Sequence, residues 1–194
     1  PNIGVITNIG EAHLENFKNI NGIAKAKSEI IENIQNGGTI ILNRDDKFFN
    51  FLSKKAKKYQ LKISTFGIHK KSDIRFKKII NNGKISRIFV YLNNKVLNFE
   101  IKDLNIQNVL ASIAVLNELK FNISEFKSKF KKFESLEGRG KKHFIYRYNK
   151  NFKLIDESYN ANPLSVKRAI NKLSSIKKEN FKKYLILGDM LELG

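Results

Sequence analysis

The sequence predicts an α/β fold: a parallel sheet with crossover helices and a small antiparallel β insertion, followed by the start of a second α/β unit. Three observations carry that prediction. Short apolar runs alternate with amphipathic stretches between residues 3 and 66, the pattern of a parallel sheet whose strands are linked by helices. Between residues 74 and 101 the chain changes to strand-length segments joined by asparagine-rich turns, which signals antiparallel hairpins. A composition 41% apolar and 28% charged over 194 residues supplies a core, with room for one full domain or two partial ones.

The elements follow in order. Ile3 to Ile6 is apolar and runs into Thr7-Asn8 and a turn at Gly10, as a buried strand entering a loop does. A helix is predicted over Asn21 to Ile34, ended by Asn36-Gly37-Gly38. Thr39 to Leu42 reads as a second buried strand, Asp46 to Tyr59 as a basic amphipathic helix, and Lys62 to Phe66 as a third strand. Strands are predicted at Ile74 to Ile79, Ile85 to Leu92 and Val96 to Ile101, with Asn81-Asn82-Gly83 and Asn93-Asn94 as turns. Ile106, Val109, Leu110, Ile113 and Leu116 fall at helical spacing within Asn105 to Leu119, and Phe126, Phe130 and Phe133 lie along one side of a helix over Ile123 to Phe133. Glu137 to Lys142 is polar and carries two glycines, which marks a linker. Strands are predicted at His143 to Tyr148 and Phe152 to Ile155, a helix over Pro163 to Ile176 and a strand at Tyr184 to Leu187.

Charge and composition narrow the function classes. The net charge is +19, but only six of the 37 basic residues are Arg. Nucleic-acid readers favour Arg for its bidentate contacts, and Lys, Ile and Asn share AT-rich codons, so the charge reads as a biased surface or a site for a phosphate-rich ligand. No stretch approaches the roughly 18 uninterrupted apolar residues of a membrane span, and no secretory leader is visible at the start, so a soluble, cytoplasmic protein is expected. Cysteine is absent, which removes disulfides, thiolate metal sites and a cysteine nucleophile and leaves His, carboxylates or a less ordinary ligand for any metal.

Several residues carry chemistry. On a helical wheel Lys27 falls at the centre of the stripe formed by Ile23, Ile30, Ile31 and Ile34, whereas Lys25 points away. A lysine there either snorkels out or is a buried amine of depressed pKa, able to take up carbon dioxide as a metal-binding carbamate. Thr7 to Glu15 places a hydroxyl, an amide, His13 and two carboxylates beyond the carboxyl end of a buried strand, where open α/β sheets bind ligands. That set suits a hard cation and phosphate. Asn162 and Pro163 are explained by helix capping; Asp156, Tyr159 and Asn160, at the preceding strand end, suit ribose hydroxyls and a base. Gly138-Arg139-Gly140-Lys141 is not a phosphate loop, since Lys142 stands where the hydroxyl of that motif belongs. Arg139 reads either as a contact to a triphosphate or as a solvated hinge residue.

Taken together, residues 7–15, 23–30, 42–46, 156–163 and 187–194, in that order, resemble the Mur ligase family. The Asp-Glu-Ser-Tyr-Asn-Ala-Asn-Pro and Gly-Asp-Met-Leu-Glu-Leu-Gly blocks resemble most the branch that joins D-alanyl-D-alanine to UDP-N-acetylmuramoyl-tripeptide in peptidoglycan precursor synthesis. The resemblance implies an ATP-dependent amide ligase working through an acyl phosphate with Mg2+. It implies His13 as a magnesium ligand and a carbamylated Lys27 holding a second ion, Asn108 at the adenine, Arg139 as the linker arginine, Asp156 at the ribose, and Tyr159 and Asn160 beside the nucleotide. It also implies residues 1–137 as the later part of a P-loop-type central ATP-binding domain, residues 138–194 as the beginning of a Rossmann-like C-terminal domain, and a monomer without specific nucleic-acid binding or membrane insertion. Gln107 precedes Asn108 where the family has His. Pro1 and Gly194 suggest a fragment, with the P-loop upstream and no turnover by this chain alone. The alternatives are a folylpolyglutamate synthetase-like ligase and a non-catalytic basic module that binds nucleic acid.

Overall fold

The computed structural model describes residues 1–10, 17, 19–82, 85–102, 104–176 and 182–190. Two compact units result, residues 1–9 with 24–134 and residues 10–23 with 135–194.

The first unit is built on a six-stranded sheet in sequence order. β1 (Ile3–Ile6), β2 (Thr39–Asn43) and β3 (Lys62–Gly67) run parallel. Parallel neighbours need crossovers, and α1 (Ile20–Glu32) and α2 (Phe49–Lys58) lie between them in the chain. β2 is central among the three, and all five of its residues are buried, which is why it reads as an unbroken apolar run. β4 (Ile74–Asn82), β5 (Ile85–Leu92) and β6 (Lys95–Ile101) are antiparallel and extend the same sheet. The direction first reverses between β4 and β5; β4 still runs parallel to β3, pairing with it only at Phe66↔Ile74 and Gly67↔Arg75. Asp73 fixes the junction of β3 and β4: its carboxylate accepts from the Thr65 amide (2.8 Å) and hydroxyl (2.6 Å), and its own amide donates back to the hydroxyl (3.0 Å).

α3 (Ile106–Glu118) covers this sheet with Val109, Leu110, Ala111, Ile113 and Ala114, all buried. Asn105 caps it, its side chain accepting from the amides of Gln107 and Asn108. The expected helix from Ile123 to Phe133 divides into a 3-10 turn (Ile123–Phe126) and α4 (Lys127–Lys132). Phe130 reaches the core edge-on to Phe99 at 5.2 Å, while Phe133 terminates α4 and stays exposed. The helix expected from Asp46 begins only at Phe49; Asp46 instead makes a turn before it, its carboxylate accepting from the Phe48 and Ile9 amides.

The second unit contains the hairpin β7 (Lys141–Arg147) and β8 (Lys150–Asp156) and the helix α5 (Pro163–Ser175). Tyr148 and Asn149 both take positive φ, as a two-residue hairpin turn of this hand requires. α5 starts on a capping box formed by Asn162 and Ser165, with Pro163 in its first turn. The strand expected at Tyr184 to Leu187 does not form. A parallel strand is held by its ladder, and among the described residues this run has no pairing neighbour; Ile186 is 92% exposed.

Candidate functional site

In the first unit the carboxyl ends of β1 and β2 are tied together by side chains. Three consecutive residues after β1 each give a backbone group to a different partner. The Thr7 carbonyl accepts from Asn43 Nδ2 (3.0 Å), the Asn8 carbonyl from Lys27 Nζ (3.3 Å), and the Ile9 amide donates to Asp46 Oδ2 (2.7 Å). Irregular backbone at a sheet edge needs such partners. The other oxygen of Asp46 accepts from the Phe48 amide at 2.8 Å.

Lys27 is therefore not a buried amine. The buried arc of α1 runs through Ile23, Ala24, Ser28 and Ile31, with Ile34 buried just beyond its end, and Ile30 is exposed, so the apolar stripe is rotated from the one the sequence suggested. Ser28, a polar residue inside that arc, misled the wheel; it is fully buried and its hydroxyl meets Lys55 Nζ at 2.8 Å. Lys27 lies exposed beside that arc, with its amine on the Asn8 carbonyl.

Asp45 gathers a second group of contacts. Its Oδ2 accepts from the Ile68 amide (2.6 Å) and from Gln107 Nε2 (3.2 Å), and its Oδ1 from the His69 amide (2.9 Å). Asn108 follows Gln107 in the first turn of α3 and is exposed. Its backbone is fixed by Asn105, which leaves its carboxamide to face solvent or a ligand.

In the second unit Arg139, Asp156 and Tyr159 come together around Gly138. The Arg139 guanidinium lies 4.1 Å from the Tyr159 ring centre, a cation–π contact. The Gly138 amide donates to Asp156 Oδ2 (3.0 Å), the Tyr159 amide to the Gly138 carbonyl (3.1 Å), and the Gly140 amide to the Asp156 carbonyl (2.6 Å). A Cβ on Gly138, whose φ is +69°, would stand 2.7 Å from that of Tyr159. Residues 137–142 are thus folded onto the end of β8 rather than forming an open linker. The Ser158 hydroxyl, then the Ser158 and Gly138 amides, hold the Asp156 carboxyl below its ordinary range. Asn160 is exposed, its side-chain oxygen accepting from the Ala161 amide.

His13 lies outside the described residues, as do Glu11 and Glu15. Among the described residues no group of three or more His, Cys, Asp or Glu side chains is placed to hold a metal ion, and a lysine ammonium is a hydrogen-bond donor, not a metal ligand. A cleft of about 530 Å3 opens beside Arg44, Asp46, Lys47 and His69 and contains none of the predicted site residues. Asn43, Asp45, Asp46 and Gln107 escaped functional assignment from the sequence. The signal was present, since Asn43-Arg44-Asp45-Asp46 puts an amide and two carboxylates directly after a wholly buried strand, the pattern that singled out Thr7 to Glu15.

Comparison with known proteins gives the following. Residues 1–116 match the Mur ligase middle domain. The chain is similar over its whole length to UDP-N-acetylmuramoyl-tripeptide--D-alanyl-D-alanine ligases, 33% identical to that of Buchnera aphidicola subsp. Baizongia pistaciae and 31% to that of Rickettsia prowazekii, covering 41% and 43% of them. The crystal structure of MurF from Acinetobacter baumannii superposes with a TM-score of 0.85 at 27% identity, over all of this chain and 41% of that one. MurF ligase from Thermotoga maritima in complex with ADP shares the fold, with a TM-score of 0.82 at 23% identity over all of this chain and 43% of that one. The chain spans about two fifths of the length of these relatives.

Proposed function

The chain belongs to the Mur ligase family, and from that premise we propose that it is part of an ATP-dependent ligase that adds D-alanyl-D-alanine to UDP-N-acetylmuramoyl-tripeptide in peptidoglycan precursor synthesis. The observation that carries this reading is similarity along all of the chain to ligases of that name. We assign residues 1–137 to the later part of the central ATP-binding domain and residues 138–194 to the beginning of the C-terminal domain, in a cytoplasmic monomer. No helix among the described residues is long and apolar enough to cross a membrane.

In the proposed reaction the γ-phosphoryl group of ATP passes to the substrate carboxylate, the amine of D-alanyl-D-alanine attacks the acyl phosphate, and phosphate leaves, with ADP as the other product. This chain's residues serve the nucleotide. The exposed carboxamide of Asn108 offers a donor and an acceptor to the adenine. Tyr159, one ring face occupied by Arg139, keeps the other for stacking beside Asn160. Asp156 spends lone pairs on Ser158 and Gly138 and retains acceptor capacity for a ribose hydroxyl, and Arg139 supplies guanidinium donors to phosphate. Lys27 becomes an anionic ligand only after its amine adds carbon dioxide with loss of a proton; His13 is its proposed partner at magnesium. The described residues alone do not make a metal site, and the nucleotide roles stand without one.

The test uses the complete gene product. Phosphate release from ATP is expected only when UDP-N-acetylmuramoyl-tripeptide and D-alanyl-D-alanine are both present. Release with folate and glutamate instead refutes the assignment. Lys27→Ala is expected to abolish turnover, with no recovery on adding bicarbonate. The +19 charge is read as lysine-rich surface, so binding to nonspecific duplex DNA is expected to be weak and lost by about 200 mM salt.

A further inference from the structure

We propose that Asp45 is a positioning residue for the nucleobase end of the nucleotide site, acting on Asn108 through Gln107. The inference rests on the reading of Asn108 as the base contact. Asp45 stands two residues beyond the end of β2, and its carboxylate joins that strand to two other elements. Amide donors arrive from Ile68 and His69 after β3 and from the Gln107 side chain in the first turn of α3. The approach is built for it: Gly67 holds φ at +147°, and a Cβ there would lie 2.5 Å from Asp45 Oδ2.

Gln107 is oriented by this contact. A carboxylate only accepts, so the amide must turn its Nε2 toward Asp45 and its Oε1 away. That oxygen is buried with no hydrogen-bond partner. A buried, unpaired amide oxygen is destabilising, so the local sequence tolerates a loss to keep the Asp45 link. The backbone of the same turn is held by Asn105, which accepts from the Gln107 amide at 2.9 Å and the Asn108 amide at 3.3 Å. The first turn of α3 is therefore fixed by its own cap and by β2, and Asn108 cannot shift without straining both.

Three variants test this in the complete gene product: Asp45→Asn, Gln107→Leu and Asn108→Ala. Losing a hydrogen bond to a charged group is worth about tenfold, so Asp45→Asn and Gln107→Leu are expected to raise KM for ATP by that factor with kcat within about twofold. Hydrogen exchange at residues 106–109 is expected to speed up in Gln107→Leu of this chain, a readout independent of turnover. If Asn108→Ala raises KM while the other two leave it unchanged, the inference fails and the reading of Asn108 stands. If Asn108→Ala leaves KM unchanged, that reading fails and takes the inference with it. Equal losses in kcat and kcat/KM for Asp45→Asn and Gln107→Leu, or unchanged exchange in Gln107→Leu, would reduce Asp45 to a structural residue.

Discussion

The two units treat the same kinds of residue in opposite ways. In the first, Phe66, Phe99 and Leu110 are sealed into one cluster formed by β2 to β6 and α3. In the second, Phe144, Tyr146 and Leu154 of the hairpin are exposed, and neither the hairpin nor α5 holds a buried side chain. Order in the second unit comes from hydrogen bonds: the hairpin ladder, the capping box and the knot of amides around Asp156. An α/β pattern thus specifies local elements on its own, but a core needs a second layer packed against the sheet.

The largest expected effect separates the units directly. Phe99→Ala removes a ring that is 1% exposed and packed on Phe130, at a cost of about 3–5 kcal/mol. Phe144→Ala, at a side chain 81% exposed, is expected to stay within about 0.5 kcal/mol. Urea unfolding of both variants checks the contrast, and equal destabilisation would break it. Next is Gly67→Ala, which forces a side chain into positive φ against Asp45 and is expected to cost about 1–3 kcal/mol, seen as a lower midpoint of the same cooperative transition. Asn162→Ala removes the α5 cap for about 1 kcal/mol; with no buried face to hold that helix, the loss is expected as reduced helical circular dichroism while the first unit melts unchanged.

The smallest effect is the acid response of Asp156. Its carboxyl is depressed in the folded chain by Ser158 and Gly138, so the stabilisation is fully present above the ordinary aspartate value of about 4 and is lost as pH falls through the lower folded value. The amide resonances of Gly138 and Ser158 are expected to hold still near neutrality and to move together only in acid. Movement centred well above pH 4 would show that these hydrogen bonds do not favour the ionised form.

Much of the first unit was legible because apolar runs and amphipathic stretches differ in length, and β1 and β5 fall where the pattern put them. Lys27 shows where such reasoning stops. A wheel counts apolar residues and cannot know that Ser28 will be sealed in by Lys55, so it set the stripe one position off. Tyr184 to Leu187 shows a second limit, since apolarity marks a strand but its ladder is a tertiary property. Asp156 and Tyr159 were read together at one strand end and Arg139 apart from them on a linker; what the sequence did not reveal was that Gly138 lets them meet. Asp45 and Gln107 were hidden for a similar reason, their link joining positions 62 residues apart.

The contact between Lys27 and Asn8 has one more consequence. An ammonium group brings three N–H donors and a positive charge to the Asn8 carbonyl, whereas a carbamate brings a single N–H and a negative charge. The carbonyl carbon of Asn8 is thereby a spectroscopic reporter of the chemical state of its neighbour. Its 13C resonance, compared in degassed and carbon dioxide-equilibrated buffer, reads the modification of Lys27 without substrate, metal or turnover.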